Sequence, residues 1–291
     1  MPEVFIIVPV HNRVEYTLKF LDSIKDIDYK DYQIVLIDDG STDNTYETVR
    51  NLYPEVSILQ GDGNFWWTKA VNLGVKYALA NGADYILTLN NDLIVDKNII
   101  NALVECAKNN PNNIIGSKIH YESSKISHGG GKRNLLFPPN FNITPFGKLD
   151  NYEYEKIREV DSIAGIGMLI PVNIFKEIGF FDERNFPHYY ADTEFTLRAK
   201  KAGFKLLFCP GSIIFDNPET TWKFPNKLSP DIFKHLLFDT GSGYLLKANF
   251  RLYYHYWPKA IWFIPFCILY LKCFVGVLLI LYKKINRLAL K

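Results

Sequence analysis

The dominant pattern along the chain is an alternation of short apolar runs with stretches that are apolar at helical spacing. Val4-Phe5-Ile6-Ile7-Val8-Pro9-Val10 is uninterrupted, as expected of a central parallel strand covered on both faces. His11-Asn12-Arg13 closes it, and Val14, Leu18, Leu21 and Ile24 then mark one face of a helix. Ile34–Ile37 is a second strand ending on Asp38-Asp39-Gly40-Ser41-Thr42-Asp43; Gly40 permits a tight turn, and Ser41, Thr42 or Asp43 can cap the helix that runs through Tyr53. Val56–Leu59 is a third strand, followed by the loop Gly61–Asn64 and a helix from about Phe65 to Leu79. Tyr85–Leu89 is a buried strand that stops on Asn90-Asn91-Asp92; Asp96 then caps a helix carrying Ile99, Ile100, Leu103, Val104 and Ala107. This alternation over the first 115 residues predicts an α/β fold with a doubly wound, mostly parallel sheet.

Beyond it the pattern is looser. Ile114–Lys118 reads as a strand, and Ser127–Arg133, whose three consecutive glycines could cradle a phosphate, as a mobile loop over the site because no helix pattern follows; neither Phe137–Thr144 nor the charged Tyr152–Glu159 carries a catalytic role. Asp161–Ile170 is expected as a strand whose small residues Ala164, Gly165 and Gly167 let the backbone approach a ligand. A helix begins within Tyr189–Arg198, with Glu194 and Arg198 spaced for a surface pair, and Lys205–Cys209 is a further strand leading to Ser212–Asn217.

The C-terminal stretch is different in kind. Ala260–Leu271 and Cys273–Tyr282 are apolar runs interrupted by Lys272 and expected to kink near Pro265. Neither reaches the roughly 20 residues of a bilayer span, and an ammonium at mid-bilayer costs about 3 kcal/mol or more. Together the runs could span, but basic residues flank both ends (Lys247, Arg251 and Lys259; Lys283, Lys284, Arg287 and Lys291), so helices lying in a membrane interface are expected over a span, with a buried core hairpin as the alternative. Charge supports the division. The net +2 conceals eight Lys or Arg and no acid from Thr240 onward, which leaves 25 basic against 31 acidic residues before it. An acidic body with a basic, apolar tail suits an anionic membrane surface rather than nucleic acid. Cys106, Cys209, Cys267 and Cys273 lack metal-site spacing and lie in apolar contexts; with no leader pattern at Met1-Pro2-Glu3, a reducing, cytoplasmic setting is expected.

Three strand ends carry chemistry: His11–Arg13, Asp38–Asp39 and Asn90–Asp92. In open α/β sheets ligands bind beyond the carboxyl ends of strands, so a nucleotide can span these. Asp92 can hold a hard cation, with Asn90 and Asn91 as neutral partners, although Asn and Asp are also common turn formers. On helix rules alone Asp192 is either a cap or a base.

As an ordered set, Ile7–Arg13, Val35–Asp43 and Gly61-Asp62-Gly63-Asn64-Phe65-Trp66-Trp67-Thr68-Lys69-Ala70-Val71-Asn72-Leu73-Gly74 resemble family-2 glycosyltransferases of the nucleotide-diphospho-sugar (GT-A, Rossmann-like) fold. The Trp-Trp version is similar to a bacterial subset that includes rhamnosyltransferases. The resemblance covers roughly Val4 to Ile214. It implies that Pro9, His11 and Arg13 surround the base and that Asp39 accepts the uracil or thymine N3–H. Asn64, Trp67, Lys69, Asn90 and Asn91 are the further nucleotide-sugar candidates, Asp92 matches the metal aspartate, and Asp192 the general base. Asn90 stands where the first aspartate of an Asp-x-Asp element is usual, and Ala191 where a glutamate is usual. Asp216 stands near a position where many relatives carry a metal-binding histidine, and is a candidate second ligand. Trp66 and Trp67 wall the sugar pocket on this reading; as ordinary helix aromatics they would instead sit in the core.

The implied function is an inverting, Mg²⁺- or Mn²⁺-dependent transfer of a sugar, rhamnose among the options, from a dTDP- or UDP-linked donor. The acceptor would be a saccharide or polyprenyl-linked glycan, with the enzyme peripheral to the inner face of the cell membrane. The expected organisation is a transferase domain over 1–230, divided near 115 into nucleotide-binding and acceptor halves, and a helical tail over 231–291. The alternative is a catalytically weak or inactive nucleotide-sugar-binding protein on the same fold, suggested by Asn90 and Ala191.

Overall fold

The computed structural model describes residues 1–121, 126–128, 130–136, 141–143, 155–217, 219–220 and 223–289. Gly129, Phe137–Asn140, 144–154, Trp222 and Lys291 lie outside them, and with them parts of the glycine run and of the two segments that follow it. In chain order the first elements are β1 (Val4–Val10), α1 (Val14–Lys25), β2 (Tyr32–Asp38), α2 (Thr45–Leu52), β3 (Ser57–Gln60), α3 (Trp66–Ala80), β4 (Tyr85–Thr88), β5 (Leu93–Val95) and α4 (Ile99–Asn109). Then come β6 (Ile114–Tyr121), β7 (Ile126–His128), β8 (Gly131–Arg133), β9 (Phe141–Ile143), β10 (Arg158–Glu159) and β11 (Met168–Pro171). The last are α5 (Val172–Ile178), α6 (Ala191–Lys201), β12 (Leu206–Asp216), α7 (Ile232–Phe238), α8 (Leu246–Tyr256) and α9 (Phe263–Ala289).

The main sheet runs in the order β10-β12-β6-β11-β4-β1-β2-β3. β1 to β4 are parallel, β6 and β12 are parallel to each other, and β11 lies antiparallel between β6 and β4. The expected doubly wound, mostly parallel sheet is therefore observed. Strand alternation divides the core. Val4, Ile6, Val8 and Val10 point into one layer with Phe20 of α1, Val49 of α2 and Leu103 of α4. Phe5 and Ile7 point into the other, with Val71 of α3, Phe195 of α6 and Leu252 of α8. In the second layer α3 lies tight against the sheet: a Cβ at Gly74 would meet the Ile7 side chain at 2.5 Å and that of Ile37 at 2.8 Å. That contact fixes where the first turn of α3, with Trp66 and Trp67, reaches the sheet edge.

The expected strand Asp161–Ile170 is corrected: apart from an isolated bridge of Ser162 to Gly131, only Met168–Pro171 pairs, because Gly167 has φ 72 and turns the chain against Ser117. Residues 161–167 are otherwise a loop, and the Gly165 N–H within it donates to Asp192. The expected surface pair Glu194–Arg198 is also corrected. Glu194 is 4% exposed, and its carboxylate takes Arg198 Nε at 2.9 Å and the Tyr256 hydroxyl at 2.6 Å. Arg198 also donates to the carbonyls of Ile178 and Phe180. This buried knot ties α6 to α8 and to the turn after α5.

The C-terminal run is one continuous helix rather than two kinked segments, since Pro265 falls in the first turn of α9, where its missing N–H costs nothing. α8 buries Ala248, Leu252 and Tyr253 in the second core layer. Along α9, Phe266 and Leu269 lean on that layer, and Cys273 and Val277 form a small core with Ile232 and Leu236 of α7.

Candidate active site at the carboxyl edge of the sheet

β1, β2 and β4 all end at one edge, and their polar extensions meet there. The turn after β1 is held in uncommon backbone conformations, Asn12 at φ 47 and Arg13 at φ 116. Asp43 explains why it holds: its carboxylate accepts the N–H groups of Arg13 at 2.6 Å and Val14 at 2.8 Å. His11 Nδ1 lies 2.6 Å from the Asp39 carbonyl oxygen. Arg13 is thereby aimed across the edge, and its Nη1 donates to Asp92 Oδ2 at 2.8 Å. Strain of this kind persists only where surrounding contacts over-determine it, and it clusters at functional sites.

Asp39 is 6% exposed and organises the next loop. Its Oδ1 accepts the Gly63 N–H at 2.8 Å, and its Oδ2 accepts those of Phe65 at 2.8 Å and Trp66 at 3.2 Å. These three bonds leave one lone pair on Oδ1. Trp66 enters α3 at φ 55, a further strained non-glycine residue. Beside it, Trp67 Nε1 donates to Asn90 Oδ1 at 3.1 Å, and Asn91 Nδ2 donates to Thr17 Oγ1 at 2.9 Å.

Two cavities open along this edge. One, of about 380 Å³, is lined by Pro9, His11, Asp39, Asn91 and both tryptophans among others, and falls within the range of small-molecule sites. The second, of about 340 Å³, holds Asp192, Asp216, Gly165, Tyr189 and Tyr190. Arg13, Trp67, Asn90, Asp92 and His188 line both and form the shared wall. Asn64 and Lys69 line neither. Asn64 folds back on Asp62, while Lys69 sits 3.8 Å over the Phe65 ring and 3.9 Å from Asp62.

Asp192 occupies the first turn of α6, after Tyr190 at φ 68. Its Oδ2 accepts the Gly165 N–H at 2.8 Å, and its Oδ1 that of Thr193 at 2.7 Å. Burial raises its pKa above the ordinary aspartate value, opposed by those hydrogen bonds. Ala191 is wholly buried in the apolar layer, so no second carboxylate tunes this one. Asp216 ends β12, its Cα paired with that of Leu93, and its carboxyl is pushed up to about 6 by burial and by the neighbouring Asp92. The Asp216 carboxyl beside Asp92 is a donor set suited to a hard divalent cation, which takes oxygen ligands. Among the described residues no cluster of three or more His, Cys, Asp or Glu offers a fuller metal cage.

Residues 5–170 match the model of glycosyl transferase family 2. The chain belongs to that family. This family-2 chain is 27% identical over 252 residues to an N-acetylglucosaminyl-diphospho-decaprenol L-rhamnosyltransferase of Mycobacterium tuberculosis, covering 79% of each. It is 28% identical over 123 residues to the glycosyltransferase GlyG of Streptococcus pneumoniae, which covers 41% of this chain and 40% of that one. A hexosyltransferase of Haloferax volcanii, from low-salt glycan biosynthesis, is 24% identical over 179 residues, 61% of this chain and 56% of its own. The chain thus spans about half the length of these last two relatives. The crystal structure of S. aureus TarS 1-349 superposes with TM-score 0.53 at 17% identity, over 74% of this chain and 60% of that one. The fold is GT-A.

Sequence reasoning missed His188, Tyr189, Gly165 and Thr220 in this family-2 cleft. Gly165 was legible as a small residue but not as a donor to Asp192. His188 carries no motif signal; only the fold brings it beside Trp66, ring centroids 5.5 Å apart.

Proposed function

We propose that the protein is an inverting glycosyltransferase that moves a hexosyl group, rhamnose among the options, from a dTDP- or UDP-linked donor to an acceptor hydroxyl. The observation that carries this reading is the pair of cavities with a shared polar wall: one offers a nucleotide-sized space above Asp39, and the other the buried carboxylate of Asp192. A nucleoside lies in the first against Pro9 and His11, with its base edge toward Asp39. The diphosphate reaches the shared wall, where Arg13 supplies positive charge. An acceptor enters the second cavity, where Asp192 takes its hydroxyl proton as the oxygen attacks the anomeric carbon. The bond to the diphosphate breaks on the opposite face, and no protein nucleophile takes part.

Asp92 and Asp216 would hold Mg²⁺ or Mn²⁺, which when bound supplies charge neutralisation for the departing diphosphate. Arg13 already fills this role for Asp92 in the structure, so its guanidinium and a cation compete for one carboxylate. Lys69 is turned away onto Phe65 and Asp62, which leaves Arg13 as the cationic side chain of the wall.

The acceptor, on this reading, is a saccharide or polyprenyl-linked glycan met at the inner face of the cell membrane. Support comes from α9 and α7. Phe263–Asn286 of α9 is long and apolar enough to cross a membrane by length and composition, with only 17% of its most apolar 18-residue window buried, and Phe233 stacks on Phe274 on the exposed side. Lys223, Lys227, Lys234, Lys283 and Lys284 surround this surface in sequence. α9 packs on the body as far as Ile280, and on this reading its exposed apolar face lies along the membrane interface.

The test is a donor screen: purified protein with UDP- and dTDP-linked sugars, read as release of nucleoside diphosphate in the presence of a polyprenyl-diphosphate saccharide. Turnover of one donor is expected. Binding of a donor without transfer or hydrolysis would favour the inactive binding protein.

A further inference from the structure

We infer that His188 is a specificity-determining residue that donates a hydrogen bond from Nε2 to a hydroxyl of the donor sugar. This rests on the donor reading above. The imidazole belongs to the wall between the two cavities, where the sugar must lie if the nucleoside fills one and the acceptor the other. Its position is fixed by the neighbouring backbone. Thr68 Oγ1 donates to the Phe186 carbonyl at 2.6 Å and Thr68 N to the Pro187 carbonyl at 3.1 Å, which stitches the segment before His188 to the first turn of α3. The ring lies 5.5 Å from Trp66 and 4.6 Å edge-on to Tyr189. The residues flanking this corner, Trp66 at φ 55 and Tyr190 at φ 68, hold backbone conformations that only a tightly specified site retains.

The two ring nitrogens differ. Among the described residues Nδ1 is buried and has no hydrogen-bond partner, so a proton there would be an orphaned donor. The proton is therefore placed on Nε2, which no described residue engages. Arg13 and burial both disfavour a second proton, holding the imidazole pKa down to about 4. A neutral ring offers a phosphate no charge, and Arg13 beside it serves that group better. A single neutral donor next to an indole instead matches a sugar ring, whose hydroxyls accept hydrogen bonds while its carbon faces lie against apolar surface. A site built on a buried polar contact rejects ligands that lack the matching group.

The experiment is isothermal titration of wild type, His188→Phe and His188→Gln with UDP and dTDP, and with UDP-glucose, UDP-N-acetylglucosamine and dTDP-rhamnose. For the donor that wild type binds, His188→Phe should weaken the sugar nucleotide about tenfold or more while leaving its nucleoside diphosphate within twofold. His188→Gln, which retains an N–H donor, should recover part of the loss. Thermal melting of each variant reports whether it is folded. Equal affinity of His188→Phe and wild type for the sugar nucleotide overturns the assignment, and so does a parallel loss for the bare nucleoside diphosphate. If wild type binds none of the five compounds, the transferase reading fails, and this one with it. If it binds the nucleoside diphosphates and sugar nucleotides equally in every variant, only the role of His188 fails.

Discussion

Replacing Asp192 by Asn separates chemistry from architecture at the centre of the cleft. The carboxylate accepts N–H groups on both oxygens, from Gly165 at 2.8 Å and Thr193 at 2.7 Å. Asn matches the shape but offers one acceptor, so its amide N–H₂ must face one of those donors. Leaving that donor unsatisfied costs about 1–3 kcal/mol, or several degrees in Tm for a chain of this size. The catalytic loss is larger. A missing general base is worth two to four decades in rate, roughly 3–5 kcal/mol of barrier. Nucleoside diphosphate binding should stay within a few-fold, because Asp192 lines only the second cavity. The pH profile gives an independent check. The base works deprotonated, and burial raises its pKa, so wild-type kcat/KM should fall on acidification through a limb above the ordinary aspartate value of 3.8. Residual turnover by Asp192→Asn should lack that limb. Labelled-sugar transfer across a pH series measures both effects. Undiminished turnover, or an identical acid limb in the variant, would falsify the assignment of the base.

Glu194→Ala should cost about 3–5 kcal/mol in urea unfolding, because it strands Arg198 in the interior without its carboxylate; Glu194→Gln, keeping one acceptor for Arg198, should cost less, and equal losses would refute this account. Chelation by EDTA should abolish transfer, and Asp92→Ala or Asp216→Asn should weaken Mn²⁺-dependent donor binding by titration; full activity in chelator would leave Arg13 alone to stabilise the diphosphate. The protein should sediment with anionic vesicles more than with neutral ones, with high salt releasing only part of it. Leu278→Glu combined with Leu279→Glu, both exposed on α9, should leave it in the supernatant while donor binding persists. Unchanged sedimentation would remove the interface role of α9.

Legibility followed the range of the contacts. β1 to β4 and their helices were readable because strand burial and helix faces are written at periods of two and about 3.6 residues. Asp39, Asp92 and Asp192 stood out because each sits where a local element begins or ends. The buried state of Glu194 was not readable, since its partner Tyr256 lies 62 residues away on α8. Nor was the loop over 161–167. Its apolar residues Ile163 and Ile166 resemble a strand, but they pack into the two core layers from an irregular backbone. The tail misled for the opposite reason. Lys272 and Pro265 looked like interruptions, yet a lysine on an exposed helix face and a proline in a first turn leave α9 intact. The pairing of Trp67 with Asn90 supplies a reason for the asparagine that the motif comparison had not: its amide oxygen takes the indole N–H and orients the tryptophan between the cavities.

One short segment connects α9 to the cleft. Thr240-Gly241-Ser242-Gly243-Tyr244 lies between α7 and α8, and its backbone is shared out among distant elements. The Tyr190 hydroxyl donates to the Gly243 carbonyl at 2.8 Å, and Asn249 Nδ2 of α8 to the same oxygen at 3.1 Å. The Tyr270 hydroxyl of α9 donates to the Tyr244 carbonyl at 2.9 Å. Trp66 packs against Gly241, 3.4 Å from where a Cβ would stand. Both strained residues at the mouth of the cleft, Trp66 and Tyr190, thus rest on a strand of backbone that α9 also holds. Each such bond is worth about 1 kcal/mol, enough together to keep the helix and the site in one orientation. On the membrane reading this linkage has a purpose. A helix lying in the interface fixes the tilt of the whole body, and through Tyr190 it fixes the start of α6, where Asp192 stands. An acceptor anchored in the same membrane is confined to a plane, and a cleft held rigidly to that plane meets its hydroxyl at a constant height. The transferase gains by orientation what a soluble acceptor would have to supply by diffusion.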